Sequence, residues 1–349
     1  MIHMRWSRLF TVCANLALCL ALALSFAPRG LAGQGEAEEA ENEVLYLPLA
    51  MKNRIPFIES SGVLDASFDG DGWAMANFGG SNEKGYAAVL QPDGKLVAAG
   101  YANLAVTSFA LARYNLDGSL DASFGGDGLV TLDFDGQGAI AQAILLPPDG
   151  KLVVAGYITT YLGKDFALAR FNPDGSLDTT FSGDGKVTTD FDEAEDMGRA
   201  VALQTDGKIV VAGRTGAWGA YNFALARYHV DGTPDLSFDS DGMLVTDFDD
   251  HEDEAVAVLV QPGDGKIVAA GSSGYADEIY GYSDIALARY NPDGSPDTSF
   301  STDGKVTATL GGYGYNLGED VLLLSSGSYV VAGTTYTAYA ETKNDFSLA

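Results

Sequence analysis

The sequence predicts an all-β protein, a β-propeller of four-stranded antiparallel blades. Five repeat units are visible, which form either a complete ring or part of a larger one. Three observations predict this fold: a phrase that returns five times, a hairpin signature inside each unit, and strands that are apolar on both faces. The 349-residue chain is rich in glycine, with 43 residues, as expected for a protein with many tight turns.

The first observation is the phrase (L/P)-D-x-(S/T)-F-x-x-D-G, here called the DxSF phrase. Its phenylalanines are spaced 56, 57, 57 and 62 residues apart, which defines one structural unit used five times. A β-helix coil is much shorter than this unit, and helical repeats would show an apolar spacing of 3.6 residues that the sequence lacks. The phenylalanines are Phe68, Phe124, Phe181, Phe238 and Phe300.

The second and third observations concern the strands within a unit. In QTDGKIVVAG and its relatives an Asp-Gly pair separates two apolar runs, a hairpin signature because the turn needs positive φ. In the third unit we predict strands at about 187–191, 200–204, 209–213 and 223–228. The two middle strands are apolar on both faces, so each sheet must be covered on both sides, which radial stacking achieves. On this division the stretch NPDGSLDTTFSGDGKV, residues 172–187, connects the outer strand of one blade to the inner strand of the next.

The phrases LDxSFxxDG, QPDGKIVVAG and DFALARYNxDG also resemble the delta-60 family of bacterial repeats. The resemblance covers all five units, residues 62–349. It implies propeller units of unknown function and no assigned catalytic residues. The fifth unit departs from the pattern with LSSGSY, and the sequence ends in DFSLA where earlier copies continue with an arginine.

The N-terminal segment of the chain predicts export. Residues 1–33 have a basic start, an apolar run and small residues before the expected cleavage point, which predicts a secretory signal peptide, with an uncleaved anchor as the alternative. Residues 34–60 are predicted to be an acidic linker and an extended segment, and 61–349 the propeller domain. Cys13 and Cys19 both lie in the signal, so the mature chain has no thiol. We expect a protein secreted to the extracellular space or cell surface, with no membrane span after cleavage.

The formal net charge is -28, which disfavours nucleic acid and anionic lipid as partners. An extracellular glycan or protein is the expected partner. The acidic turns suggest Ca²⁺ as a cofactor, because Asn172, Asp174 and Asp178 have a spacing reminiscent of oxygen-rich calcium loops. A further upstream acid and a terminal glutamate are missing, however, and turn chemistry explains the same residues.

A repeated arginine is followed, eight residues later, by a repeated aspartate. Because the arginine lies at the same strand position in each unit, we predict structural ion pairs that tie the strand to the following turn. The predicted pairs are Arg113 with Asp121, Arg170 with Asp178, Arg227 with Asp235, and Arg289 with Asp297.

Differences between units concentrate in loops on one face of the predicted ring. We interpret this face as a ligand-binding surface, although its tyrosines have the alternative role of packing their own loops. Its aromatic residues are Trp218, Tyr221, Tyr275, Tyr280, Tyr282, Tyr336 and Tyr339.

The sequence contains no nucleophile, zinc or phosphate-loop motif, so no catalytic residue is predicted. The favoured hypothesis is a non-catalytic extracellular binding or scaffold module for glycan or protein. One alternative is an extracellular polysaccharide hydrolase or lyase with carboxylates at the propeller mouth, for which Asp249, Asp250, Glu252 and Glu254 are the candidates. The other is a structural spacer of a longer cell-surface protein.

Overall fold

The computed structural model of the protein describes residues 64–192, 195–217, 219–249, 252–275, 282–310, 314–337 and 344–348. The predicted signal peptide and linker lie outside these residues. Nineteen β-strands, and no α-helix, form the regular structure of the described chain. In those ranges no helix is long and apolar enough to cross a membrane.

The strands follow one another as four-stranded blades. The first blade is β1 (Glu83–Leu90), β2 (Leu96–Asn103), β3 (Thr107–Tyr114) and β4 (Leu129–Leu132); the second is β5 (Gly138–Leu145), β6 (Leu152–Thr159), β7 (Lys164–Phe171) and β8 (Lys186–Thr189); the third is β9 (Met197–Leu203), β10 (Ile209–Ala217), β11 (Ala220–Tyr228) and β12 (Met243–Thr246); the fourth is β13 (Glu252–Val260), β14 (Ile267–Tyr275), β15 (Tyr282–Tyr290) and β16 (Lys305–Ala308); the fifth is β17 (Gly314–Leu323), β18 (Tyr329–Thr337) and β19 (Asn344–Leu348).

Within each blade, neighbouring strands in the chain pair antiparallel, as in the order β5-β6-β7-β8. A single parallel bridge between Ser283 and Tyr315 joins the fourth blade to the fifth. Successive blades pack face to face through the alanines and β-branched residues of their middle strands, which are buried on both sides. The predicted all-β propeller architecture of antiparallel blades is confirmed.

The division of the chain into blades was predicted wrongly by one strand. The expected inner strand at 187–191 is β8, which pairs with β7 as the outer strand of the preceding blade. Residues 172–187 therefore connect the third and fourth strands of one blade. The physical reason is local: Phe181 N donates to Asp178 O at 3.0 Å and Gly185 N to Phe181 O at 2.7 Å, which folds the chain back beside β7.

Each inner strand contains a β-bulge, and a repeated glycine explains why. In the third blade the register skips Arg199, between the pairs Ala212 with Ala200 and Gly213 with Gly198. A Cβ added at Gly213 would lie 1.9 Å from Met197 O, so only glycine allows the bulged strand to approach this closely. The glycine that ends every KIVVAG-type phrase makes the same approach, at 1.8 to 2.0 Å, in the other four blades.

Candidate functional site

The antiparallel order gives the ring two different faces. The Asp-Gly hairpins and the DxSF turns lie together on one face, here called the turn face, and include residues 204–208 and 229–242 of the third blade. The loops between second and third strands, and the connections from blade to blade, lie on the other face. This variable face includes residues 160–163, 190–192 and 195–196.

On the turn face the predicted arginine and aspartate partners come together. Arg170 Nε lies 2.6 Å from Asp178 Oδ2, and the corresponding distances in the other three pairs are 2.6 or 2.7 Å. Lys151 Nζ also contacts Asp178 Oδ2, at 2.7 Å, and Thr180 donates its backbone N–H and its hydroxyl to Oδ1. Burial raises the pKa of Asp178, but hydrogen bonds from Lys151, Thr180 and Arg170 outweigh it and hold the pKa well below its usual range.

The arginine also reaches the next blade. Arg170 Nη1 donates to the backbone carbonyl of Val230, and its guanidinium stacks over the Phe181 ring at 4.7 Å. Arg113 and Arg227 make the equivalent contacts to carbonyls of the following blade. Arg289 differs, because its Nη1 donates to the hydroxyl of Tyr329 at 3.2 Å. Each of these arginines therefore joins its own strand and turn to the neighbouring blade.

Sequence reasoning missed the lysine of this cluster. The lysine that follows Asp-Gly in the hairpin phrase reaches the same aspartate in four blades: Lys95 to Asp121, Lys151 to Asp178, Lys208 to Asp235 and Lys266 to Asp297. Its recurrence in the DGK phrase was the available signal. The fifth unit has Ser328 at this position.

The three calcium candidates are engaged in turn hydrogen bonds. Asn172 Nδ2 donates to Ser176 Oγ at 3.0 Å, and Asp174 Oδ1 accepts from the N–H and the hydroxyl of Ser176. Both oxygens of Asp178 already accept hydrogen bonds within the arginine and lysine cluster. Turn chemistry accounts for all three side chains, and calcium binding by them stays a prediction.

The predicted aromatic surface is only partly described. Tyr221 is buried, with the Arg214 guanidinium 4.0 Å above its ring, so it packs its own loop. Tyr282 is 39% exposed. Only the backbones of Tyr275 and Tyr336 are described, and the remaining three candidates lie outside the described residues: Trp218, Tyr280 and Tyr339.

Two exposed residues of the variable face were not singled out from the sequence. Tyr161 is fully exposed and its neighbour Leu162 is 66% exposed, at the tip of the loop between β6 and β7. Their signal was a tyrosine and a leucine side by side between the threonines and the Gly-Lys-Asp of TTYLGKD. Their position on an exposed loop tip makes both side chains accessible to a ligand.

The inner strands of all five blades surround the ring axis. Alanines and β-branched residues of these strands line an axial cavity of about 20 Å³, together with Glu319 and Asp320 of β17. Each bulge turns one side chain out of the regular alternation, and this residue differs in every blade, while the glycine opposite it does not vary. The five bulged residues, here called the bulge set, are Tyr86, Gln142, Arg199, Val256 and Glu319.

Contacts between blades connect part of the bulge set to the variable face. Arg199 Nε lies 2.5 Å from Glu254 Oε1, and its Nη1 lies 3.4 Å from Gln142 Oε1. Arg214 Nη1 lies 3.6 Å from the other oxygen of Glu254. The result is a paired network of planar polar groups that spans three blades beside the buried Tyr221.

The carboxylates of the candidate catalytic group and of the axial cavity differ in their surroundings. Glu254 is paired with two arginines, and Glu252 has a buried oxygen without a hydrogen-bond partner in the described structure. Burial raises the pKa of Asp320 to about 6. Asp249 lies in a turn with φ of 64°, and Asp250 falls outside the described residues. The axial cavity beside Asp320 has room for about one water molecule and not for a sugar ring.

These features define a β-propeller repeat protein with a uniform turn face and a variable face. Four segments, residues 91–124, 148–181, 204–238 and 263–300, match the family model described as "Domain of unknown function (DUF5122) beta-propeller". Four of the repeats are thus similar to β-propeller repeats of unknown function, while the delta-60 resemblance stays a prediction. A comparison with curated proteins gave no match.

Solved structures resemble the fold at low sequence identity. The polysaccharide lyase Uly1 is 12% identical with a TM-score of 0.45, over 75% of this chain and 57% of that one. A PL25 ulvan lyase is 10% identical with a TM-score of 0.43, over 72% and 64%. The NanB sialidase of Streptococcus pneumoniae is 14% identical with a TM-score of 0.41, over 69% and 34%. The chain thus spans less than two thirds of the length of each, and similarities this low do not indicate what it binds.

Proposed function

We propose that this protein is a non-catalytic binding module, exported from the cell, which holds a glycan on its variable face. The observation that carries the proposal is that one face is the same from blade to blade and the other is not. The turn face repeats the same arginine, aspartate and lysine cluster in four blades, whereas the bulge set and the loops of the variable face differ from blade to blade. A rigid scaffold that varies on one side only is suited to recognition on that side.

The polar groups of the variable face suit a ligand rich in hydroxyl groups. Arg199, Glu254 and Gln142 already neutralise and orient one another, so their remaining donors and acceptors have fixed directions. Tyr161 and Tyr282 add exposed rings on which an apolar sugar face can pack. Because the whole chain carries a net charge of -28, a neutral glycan is favoured over an acidic one.

The carboxylates at the mouth support the non-catalytic form of this proposal. A glycosidase of the usual kind needs two carboxylates that flank a sugar, about 5–9.5 Å apart and open to the substrate. Glu254 is instead bound to Arg199 and Arg214, and Asp320 borders a cavity of about 20 Å³. Among the described residues of the axis, the hydrolase alternative therefore has no acid pair with room for substrate.

The proposal is tested by retention of the protein in gels that contain a panel of neutral and acidic polysaccharides, with product release measured in parallel. We expect retention by at least one neutral polysaccharide, and no release of reducing ends or unsaturated products. Tyr161→Ala should weaken retention. Leu236→Ala is the matched control, because Leu236 is 66% exposed on the turn face, and it should have no effect.

Three results would overturn the proposal. Release of products above background would make the protein an enzyme. If Leu236→Ala weakened retention as much as Tyr161→Ala does, binding would not be specific to the variable face. Failure of the whole panel, with the protein folded, would exclude a glycan and leave a protein ligand or a structural spacer.

A further inference from the structure

A cluster of three carboxylates lies on the variable face where the second blade meets the third. Asp165 is the second residue of β7, Asp190 directly follows β8, and Asp196 directly precedes β9. One carboxylate oxygen from each lies within 4.8 Å of the others. The first two belong to the second blade and the last to the third, so the cluster spans the joint between blades.

Asp196 is the buried member of the cluster, with no exposed surface. Its Oδ2 accepts a hydrogen bond from Phe191 N at 2.6 Å, and the Thr215 hydroxyl also interacts with this carboxylate. Among the described residues, its Oδ1 has no hydrogen-bond partner. A buried carboxylate oxygen without a partner is costly, so a cation beside it would stabilise the site, and this observation is separate from the clustering of acids.

At the neighbouring junctions between blades, here called joints, a lysine balances the negative charge. A lysine from the outer strand of the following blade lies over the phenylalanine of the joint: Lys186 Nζ is 5.8 Å from the Phe134 ring, and Lys305 Nζ is 5.5 Å from the Phe248 ring. Lys186 also binds Asp135, and Lys305 binds Asp247 O at 2.8 Å.

At the joint with the three carboxylates the corresponding outer-strand residue is Met243, which packs in the apolar cluster that contains Phe191. Lys164, which precedes Asp165 in the chain, pairs with Glu195 at 2.7 Å. The joint with the greatest negative charge is therefore the one at which the sequence replaces the lysine by an apolar residue.

The next joint supplies a comparison within the same chain. Asp253 stands at the position of Asp196, is equally buried, and also has an Oδ1 without a partner among the described residues. There, however, Asn222 replaces Asp165, and Lys305 lies close enough to favour the charged form of Asp253. The joint between the third and fourth blades thus has two carboxylates and a lysine. The joint between the second and third blades has three carboxylates and a methionine.

We infer that Asp165, Asp190 and Asp196 bind one divalent cation, Ca²⁺, which joins the second and third blades on the variable face. Calcium binds oxygen ligands at about 2.3–2.6 Å, so ligand oxygens around one ion lie up to about 5 Å apart, which the three carboxylates satisfy. Magnesium requires shorter distances and strict octahedral geometry, and fits a spacing of this size less well. The ion would also give the orphaned oxygen of Asp196 a partner.

The site differs from the calcium loop expected from Asn172, Asp174 and Asp178, which lies on the turn face. It holds no ligand of that loop. The proposal is also independent of the glycan proposal, because an ion that joins two blades stabilises the ring whether or not the face binds sugar.

The test is isothermal titration of CaCl₂ into the metal-free full-length protein, together with thermal unfolding in calcium and in EDTA. We expect one equivalent of Ca²⁺ to bind, with a dissociation constant of about 10⁻⁴–10⁻³ M as in other extracellular modules, and a higher Tm in calcium. Asp165→Asn copies the residue of the next blade and should reduce the affinity at least tenfold. Its Tm in EDTA should equal or exceed that of the wild type, because it removes one of three repelling charges.

Two further variants distinguish the site from general attraction of calcium to an acidic protein. Met243→Lys restores the lysine of the neighbouring joints and should abolish calcium binding. Asp253→Asn changes the matched residue of the next joint and should leave the binding stoichiometry and the calcium-dependent Tm shift unchanged.

The inference is overturned if the wild type binds no calcium at millimolar concentration. It is also overturned if Asp165→Asn and Met243→Lys keep the full Tm shift. The same holds if Asp178→Asn alone removes the shift, since the ion would then lie on the turn face. A shift that an equal ionic strength of NaCl reproduces would show screening of the net charge and would likewise exclude the site.

Discussion

The arginine of the turn face gives the sharpest prediction, and Arg170→Ala is the variant that tests it. The substitution removes the Nε–H bond to Asp178, the Nη2–H bond to Thr180 Oγ1 at 3.2 Å, and the Nη1–H bond to Val230 O in the next blade. It also removes the guanidinium from the Phe181 ring. The side chains of Arg170 and Asp178 are only 7% and 4% exposed, so water replaces these contacts poorly.

The expected loss follows from the charge that remains. Removing one partner of a buried ion pair costs about 3–5 kcal/mol, because the other charge is left without compensation. Lys151 Nζ stays 2.7 Å from Asp178 Oδ2, so the aspartate keeps one cation and the loss should lie near the lower end, at about 3 kcal/mol. For a domain of this size that corresponds to a decrease in Tm of roughly 6–12 °C.

The assay is thermal unfolding followed by circular dichroism at neutral pH, with urea unfolding as a second measurement. Arg289→Ala is the matched control, because Arg289 is more exposed, at 15%, and donates to the hydroxyl of Tyr329 instead of a backbone carbonyl. Its decrease in Tm should be clearly smaller. A change of less than about 1 °C for Arg170→Ala would refute a structural role for the pair, given the expected size.

Two other predictions follow from the inner strands and the joints. Gly213→Ala should destabilise the protein by several kcal/mol (on the order of 3), because its Cβ would lie 1.9 Å from Met197 O and force the bulge to open. Asp253→Asn should remove part of the loss of stability between pH 5 and pH 8, measured as Tm. Burial, with the charge of Asp247 adding to it and Lys305 opposing it, raises the pKa of Asp253 to about 7 from 3.8. The folded state therefore holds this proton more tightly, and stability falls as pH rises from about 4 through 7.

Each of these predictions has its own check. Gly138→Ala is the control for Gly213→Ala, because its Cβ would meet nothing closer than 3.8 Å, and it should be nearly neutral. Equal Tm values for the two glycine variants would contradict the account of the bulge. For the pH series, parallel curves of Tm against pH for wild type and Asp253→Asn would show that Asp253 ionises normally in the folded protein. On the acid side both proteins should lose stability alike, because protonation of Asp178 and its three equivalents weakens the clusters of the turn face.

The repeat made much of the architecture predictable. A phrase that recurs at constant spacing identifies the unit, and the fixed interval from Arg170 to Asp178 identified the partners of a cluster before any distance was known. The location of the DxSF turn was misjudged, because apolar patterning indicates that a strand exists and does not indicate which neighbour it pairs with. The chain returns beside β7 through backbone hydrogen bonds within the turn. The residues of such a turn look the same in the sequence whichever strand it leads to.

The candidate sites were harder to predict because they depend on contacts across blades. Asp196 and Asp165 are separated by 31 residues and belong to different repeats, so no motif connects them. The importance of Met243 appears only when it is compared with Lys186 and Lys305 at known positions in space. The bulge set was also hidden, since a bulge depends on the register with β10 as well as on the sequence of β9.

The contact from each arginine to the following blade gives the ring a direction. Arg113 reaches Pro173, Arg170 reaches Val230 and Arg227 reaches Pro292, always from a blade to its successor in the chain. Damage to one such link should loosen the interface ahead of it more than the sheet that contains it. Unfolding would then spread from blade to blade through nearest-neighbour coupling. In an arginine variant, hydrogen exchange should rise first in the blade that follows the mutated one.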